Sequence, residues 1–232
     1  MREAIILAGG FGTRLQSVVK EVPKPMALVN GRPFLSYLLD LLCEYGIRRS
    51  ILAVGYKHQV IKEYYGADYL SMGLEYSVEE EPLGTGGAIK QALSGVETDQ
   101  IFVLNGDTYF NVNMEELLTF HREKEAETTI ALKRMYHFDR FGSIEVDATG
   151  RIRGFTEKRY QESGYVNGGM YVLDKNYFLG LQLPAVFSFE HDFLARFYPE
   201  AAFYGYPSEA YFIDIGIPGD YEKARKHFNS TQ

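Results

Sequence analysis

The first half of the chain alternates short apolar runs with longer stretches in which apolar residues recur every three or four positions. Glu3-Ala4-Ile5-Ile6-Leu7 reads as a buried first strand. Residues 33–45 carry apolar residues at helical spacing and stop at Gly46. Strand-like runs follow at 50–54, 74–78 and 101–104, separated by helical patterns at 58–65, 88–93 and 114–122. Strands that alternate with helices imply parallel pairing in a doubly wound sheet covered on both faces. The second half is less regular. Residues 128–133, 143–146 and 152–155 suggest antiparallel strands, with a turn at Ala148-Thr149-Gly150. Residues 165–173 are strand-like around Gly168-Gly169, 189–197 helical, 211–215 strand-like, and 219–228 a closing helix. The predicted class is α/β, a mixed, mainly parallel sheet with a small antiparallel subregion. No repeat or linker interrupts it, so one domain over 1–232 is expected, with residues up to about 125 and 126–232 forming the two halves of one cleft.

Ligands of such sheets gather at the carboxyl ends of the strands. There the chain places Leu7-Ala8-Gly9-Gly10-Phe11-Gly12-Thr13-Arg14-Leu15. The three glycines permit a sharp turn and close approach of a ligand, and the exposed N–H groups of such a turn make an anion site. The Thr13 hydroxyl and the Arg14 guanidinium add donors suited to phosphate oxygens. A Walker loop would need Gly-Lys-Ser/Thr, and a dinucleotide fingerprint a small residue where Leu15 stands. The segment reads as a polyphosphate cradle of another kind.

Further along, Lys24 lies between Pro23 and Pro25, which suggests an aimed ammonium on a stiff, extended loop. Glu79-Glu80-Glu81-Pro82-Leu83-Gly84-Thr85-Gly86-Gly87 resembles a second place of close backbone approach, suited to a base or ribose; Glu80 and Glu81 fit a solvated loop equally well. Leu104-Asn105-Gly106-Asp107 ends an apolar strand with a carboxylate, a natural Mg²⁺ ligand. Asp214, between Ile213 and Ile215, would be costly to bury unpaired, so a metal or cation is expected beside it. Glu157-Lys158 and Asn167-Gly168-Gly169 offer a carboxylate, an ammonium and an amide suited to a phosphorylated sugar.

Composition narrows the picture. The net charge of −7 argues against a nucleic-acid partner, yet a few local cations suffice for one triphosphate. Cys43 is the one cysteine, which excludes an internal disulfide and a Cys-based zinc site. The five scattered histidines offer no alternative metal cluster. No apolar run is long enough to span a bilayer and no signal-peptide pattern is present, so a cytoplasmic protein without a membrane partner is expected.

Taken in order, Leu-Ala-Gly-Gly-x-Gly-Thr-Arg-Leu, Pro-Lys-Pro, Pro-Leu-Gly-Thr-Gly-Gly, Asn-Gly-Asp, Glu-Lys, Asn-Gly-Gly and the late Asp214 resemble the sugar-1-phosphate nucleotidyltransferases. Within that family the stretches Ser17-Val18-Val19, Pro23-Lys24-Pro25-Met26-Ala27 and Glu81 to Gly87 are most similar to the bacterial D-glycero-α-D-manno-heptose 1-phosphate guanylyltransferases. The resemblance implies a Rossmann-like domain that converts an NTP and a sugar 1-phosphate into an NDP-sugar and pyrophosphate, with Mg²⁺ as cofactor. It implies a nucleotide site of Leu7, Ala8, Gly9, Gly10, Gly12, Thr13, Arg14, Glu79, Gly84, Thr85 and Asn105. Lys24 would bridge phosphates, and Asp107 and Asp214 would bind the metal. Gly142, Glu157, Lys158 and Asn167 would take the sugar phosphate. Arg14, Lys24, Asp107, Lys158 and Asp214 would carry the catalysis.

Uridylyl and thymidylyl relatives place a Gln five positions before the glycine equivalent to Gly84, and here that offset falls on Glu79. A carboxylate only accepts, and guanine presents N1–H and N2–H₂ side by side, so GTP is favoured. The heptose phosphate rests on resemblance, with mannose 1-phosphate and a uridylyl or thymidylyl transferase as alternatives. A catalytically silent regulatory subunit is disfavoured because Arg14, Lys24, Asp107, Lys158 and Asp214 are all retained. A glycosyltransferase is disfavoured because Asp107-Thr108-Tyr109 lacks the Asp-x-Asp pattern. Homo-oligomerisation and allosteric control are left open.

Overall fold

The computed structural model of the protein describes residues 2–10 and 22–229. Strand β1 (Glu3–Leu7) is followed by a small hairpin, β2 (Leu28–Val29) and β3 (Arg32–Pro33), that turns at Asn30-Gly31 with both residues at positive φ. Helix α1 (Phe34–Glu44) then begins at Pro33 and is left behind at Gly46, whose φ of +70° ends the helical run. Next come β4 (Arg49–Val54), α2 (His58–Tyr65), β5 (Asp68–Tyr69), β6 (Met72–Val78) and α3 (Gly84–Ala92). Strands β7 (Gln100–Asn105) and β8 (Thr108–Phe110) lead to α4 (Met114–Glu123). Asn113 caps α4, its Oδ1 accepting from the N–H groups of Glu115 and Glu116 at 3.1 and 3.2 Å.

The second half contains β9 (Thr128–Phe138), β10 (Ser143–Val146), β11 (Ile152–Thr156), β12 (Gln161–Asp174) and α5 (Lys175–Gly180). A π-helical segment, Phe189–Leu194, runs into α6 (Ala195–Phe197). Strands β13 (Phe203–Ser208) and β14 (Phe212–Asp214) precede α7 (Pro218–Asn229).

Among the described residues, ten strands share one sheet in the order β11-β10-β12-β7-β1-β4-β6-β5, with β9 on β12 and β13 on β9. The central strands β7, β1, β4 and β6 are parallel, and β12 joins β7 antiparallel. The fold is therefore α/β with a mixed central sheet, and alternate residues of the central strands enter different cores. Ala4, Ile6, Leu52, Val54, Phe102 and Leu104 pack with α1, α4 and α7. Ile5, Ile51, Ala53, Ile101 and Val103 pack with α3 and the phenylalanines of the π-helical segment. Burial on both faces is why these strands read as unbroken apolar runs.

Two expectations needed correction here. Strands β9 and β12 extend beyond the predicted runs and pair from Gln161↔Phe138 to Leu173↔Thr128, with an irregularity between Asn167 and Tyr171. Strand β13 was not expected at all, and it pairs with β9 in parallel. Gly205 permits that approach, since a Cβ there would lie 2.3 Å from Leu132 Cδ1.

Candidate active site

The carboxyl ends of β1 and β7 open onto a cavity of about 440 Å³. Its lining includes Leu7, Gly9, Gly10, Lys24, Glu79, Gly84, Thr85, Asn105 and Asp107, all of them expected nucleotide, phosphate or metal residues. Parallel register explains part of this, because Leu7 of β1 stands beside Asn105 of β7. Gly106 then folds back over β1: its N–H donates to the Leu7 carbonyl at 2.9 Å, and a Cβ would lie 2.6 Å from that oxygen. This close turn delivers Asp107 to the cavity. Ala8 is buried beneath it, its N–H donating to the Ala53 carbonyl at 2.8 Å. Gly12, Thr13 and Arg14 lie outside the described residues.

Asp214 arrives from the far end of the chain. Strand β14 pairs with β8 so that Asp214 is opposite Thr108, and the Ile215 N–H donates to the Asp107 carbonyl at 3.0 Å. The two aspartates thus sit on one short ribbon although 107 residues separate them in sequence (214 minus 107). Lys24 meets both. Its Nζ is 2.5 Å from Asp107 Oδ2 and 3.6 Å from Asp214 Oδ1, and its side chain is only 13% exposed. Its backbone starts a single 3₁₀ turn, Lys24–Met26, with buried Pro23 before it and buried Pro25 within it, where an extended loop was expected. The turn closes through the Met26 N–H on the Pro23 carbonyl at 2.8 Å. Stiffening is retained, but by a helical turn.

Burial raises the Asp214 carboxyl above its ordinary value, and the Asp107 charge adds to that, while Lys24 and the Gly216 N–H oppose it. Among the described residues, Lys24 is the cation that the two carboxylates face. Among the described residues, no group of three or more His, Cys, Asp or Glu side chains could hold a metal ion. Mg²⁺ is commonly held by one or two carboxylates, with substrate phosphates and waters completing its shell. The donor set of Asp107 and Asp214 beside a glycine-lined cavity fits that ion.

Glu79 follows β6 and lies against Gly9. Its Oε2 accepts the Leu83 N–H at 2.9 Å, and its Oε1 would be 2.7 Å from a Cβ on Gly9. Glu80 and Glu81 are exposed, as a solvated loop would be. The glycines that follow do something other than expected. A Cβ on Gly86 would lie 2.1 Å from the Phe187 ring, and one on Gly87 would lie 2.3 Å from the Ala185 carbonyl. These two glycines admit the chain itself, so they serve packing where approach of a base was anticipated. Close approach also holds at Gly168, where a Cβ would lie 2.4 Å from the Phe110 ring and 2.7 Å from the Ala131 carbonyl.

Residues 3–231 match the family of nucleotidyl transferases. The chain belongs to that family. It is 46% identical over 224 residues to a D-glycero-α-D-manno-heptose 1-phosphate guanylyltransferase of Aneurinibacillus thermoaerophilus, covering 97% of each chain. It is 45% identical over 219 residues to the enzyme of the same name from Campylobacter jejuni, covering 94% of this chain and 96% of that one. The fold is similar to the crystal structure of HddC from Yersinia pseudotuberculosis complexed with GMP-PN, with a TM-score of 0.88, 37% identity and coverage of 98% and 100%.

The residues expected to take the sugar phosphate lie on or beside β10, β11 and β12. Ser143 pairs with Thr156 on β11 and with Val166 on β12, so Gly142, Glu157 and Asn167 follow at one end of three adjacent strands. Gly142 is pressed against β11, where a Cβ would lie 2.7 Å from the Thr156 carbonyl. Glu157 and Lys158 are exposed in the loop after β11, outside the cavity lining. Asn167 Oδ1 accepts the Gly169 N–H at 2.9 Å, which fixes the bulge and leaves the amide nitrogen as a donor.

Sequence reasoning missed Glu190. It lines the cavity from the π-helical segment, where Thr85 Oγ1 donates to its Oε2 at 2.8 Å and Ser188 Oγ lies 3.2 Å from the same oxygen. Thr85 Oγ1 in turn accepts the Phe189 N–H at 2.8 Å. The Thr85 hydroxyl is thus spent on orienting Glu190. No motif surrounds Glu190, and only contact with a residue 105 positions earlier marks it.

Proposed function

We propose that this protein transfers a guanylyl group from GTP to D-glycero-α-D-manno-heptose 1-phosphate, giving GDP-heptose and pyrophosphate. The observation that carries the reading is the meeting of Lys24, Asp107 and Asp214 beside a cavity lined by Gly9, Gly10 and Glu79. Similarity to two heptose 1-phosphate guanylyltransferases supports the choice of sugar and base. Residues up to about 125 form the nucleotide half and residues 126–232 the sugar-phosphate half of one domain.

The chemistry needs no covalent intermediate. A phosphate oxygen of the sugar 1-phosphate, already anionic at neutral pH, bonds to the α-phosphorus. The bond from that phosphorus to the bridging oxygen breaks, and pyrophosphate leaves with the electron pair. The obstacle is repulsion between two polyanions, about 4 kcal/mol for two unit charges 4 Å apart at an effective dielectric of 20. The N–H groups of the first glycine turn, with Arg14 and Lys24, offset that charge on the nucleotide. Lys158 takes the sugar phosphate, with Gly142, Glu157 and Asn167 around the sugar. Asp107 and Asp214 would hold Mg²⁺, which when bound would supply charge neutralisation at the reacting phosphates. Glu79 accepts from the guanine N1–H and N2–H₂ edge. The reaction is assigned to the cytoplasm, and its product would serve glycosyl transfer in capsule, S-layer or lipopolysaccharide assembly.

The test is pyrophosphate release with Mg²⁺, each NTP in turn and a panel of sugar 1-phosphates. GTP with the heptose phosphate is expected to give the highest kcat/KM. Preference for mannose 1-phosphate would overturn the sugar assignment, preference for UTP or dTTP the base assignment, and release from no pair the reaction itself.

A further inference from the structure

We propose that Lys24 is an exchangeable counter-ion, which occupies the aspartate pair before the nucleotide arrives and gives way to the metal when the triphosphate draws it off. The inference rests on the reading of Asp107 and Asp214 as the metal-holding pair. Lys24 Nζ is 2.5 Å from Asp107 Oδ2 and 3.6 Å from Asp214 Oδ1, so the ammonium is placed against an oxygen of each carboxylate. Asp107 Oδ1 accepts from Thr108 Oγ1 at 3.2 Å, and Asp214 Oδ1, the oxygen that faces the ammonium, also accepts the Gly216 N–H at 2.6 Å.

A Mg²⁺–oxygen bond is about 2.0–2.1 Å long, and the ion needs near-ideal octahedral geometry. An ion on Asp107 Oδ2 would lie no more than about 4.6 Å from an ammonium that is 2.5 Å from that same oxygen. Two cations at that spacing repel strongly in a half-buried site. One of them has to leave, and only the ammonium has a flexible four-carbon stem on which to swing. The backbone end of that stem is pinned by Pro23 and Pro25, so the head moves on a fixed base. The cavity lined by Lys24 itself also holds Gly9 and Gly10, where triphosphate oxygens would receive the ammonium. Metal and nucleotide are therefore taken up together. Without nucleotide, the lysine offsets one of the two carboxylate charges and keeps the dication out.

Mn²⁺ serves as the probe, titrated at pH 8 into nucleotide-free wild type, Lys24→Met and Lys24→Arg, with bound ion counted by loss of the free-ion EPR signal. The Met protein is expected to bind one Mn²⁺ at least tenfold more tightly than wild type, and the Arg protein to stay near wild type. Added Mn²⁺ should also raise the melting temperature of Lys24→Met more than that of wild type. Equal or weaker binding by Lys24→Met overturns the exchange, and Lys24→Gln repeats the comparison should the Met protein not fold. Tight binding that survives Asp107→Asn in the Lys24→Met background overturns the exchange together with the assignment of the aspartates. Pyrophosphate release by the wild type judges the reaction separately.

Discussion

Replacing Glu79 by Gln isolates the contact that is proposed to choose the base. The change is nearly isosteric, and the Gln carbonyl can still accept the Leu83 N–H that Glu79 Oε2 holds at 2.9 Å. The loop into α3 therefore keeps its anchor. What changes is the other atom, the one that would be 2.7 Å from a Cβ on Gly9: an acceptor becomes an NH₂ donor. Facing guanine, that donor meets N1–H and N2–H₂ and can bond neither. A hydrogen bond to a charged group contributes about 1.5–3 kcal/mol, which converts to roughly 10- to 150-fold in kcat/KM. ITP is the discriminating substrate, because hypoxanthine lacks the 2-amino group. Wild type should prefer GTP over ITP by roughly tenfold or more, and Glu79→Gln by no more than about threefold, with use of UTP rising. Pyrophosphate release under kcat/KM conditions measures all three. An unchanged GTP:ITP ratio would show that Glu79 does not read the base.

Other consequences can be checked alongside. Gly86→Ala drives a Cβ to within 2.1 Å of the Phe187 ring and should cost about 1–3 kcal/mol in urea denaturation; unchanged stability with a raised KM for GTP would return Gly86 to ligand approach. Glu3 is fully buried at the opposite end of β1, where it accepts from Arg49, from the Thr98 and Glu97 N–H groups at 2.8 and 2.9 Å, and from Thr98 Oγ1 at 3.0 Å. Glu3→Ala leaves Arg49 and two N–H groups without that acceptor and should cost about 3–5 kcal/mol, with KM unchanged; a loss under about 1 kcal/mol contradicts its role as the tie between β1, β4 and the entry to β7. Burial pushes the His121 imidazole down to about 4, its Nδ1 paired with Thr129 Oγ1 at 2.9 Å. The unfolded chain takes up that proton first, near pH 6.5, so the stability His121 contributes is present above pH 6.5 and lost as pH falls toward 4. The loss amounts to about 3 kcal/mol, and His121→Gln should flatten this part of the stability–pH curve; an equally steep curve would assign the acid sensitivity elsewhere.

The legibility of this chain followed the range of the interactions involved. Strand β1, α2 and β10 were readable because burial on both faces, or amphipathic spacing, is written into consecutive residues. Asp107 and Asp214 were each readable as acids at apolar strand ends, yet their meeting depends on β14 pairing with β8, which no local pattern records. Strand β13 escaped because Gly205 and Pro207 argue locally against a strand, and the space left by Gly205 is filled by Leu132 from β9. Gly86 and Gly87 signalled close approach correctly but not by what. Phe187 and Ala185, about a hundred residues later, are the answer. Glu190 stayed hidden for the same reason, since its partner Thr85 belongs to a different helix.

The account stands on the carboxylate that the Gly106 turn carries from β7 to Lys24. Turnover of Asp107→Asn, measured by pyrophosphate release with GTP and the heptose phosphate at saturating Mg²⁺, addresses it most directly. The amide keeps the size of the side chain and removes its charge, so turnover should fall about 10²-fold or more in a protein that melts as a folded chain. Turnover close to that of the wild type would remove Asp107 from the reacting centre and contradict the account.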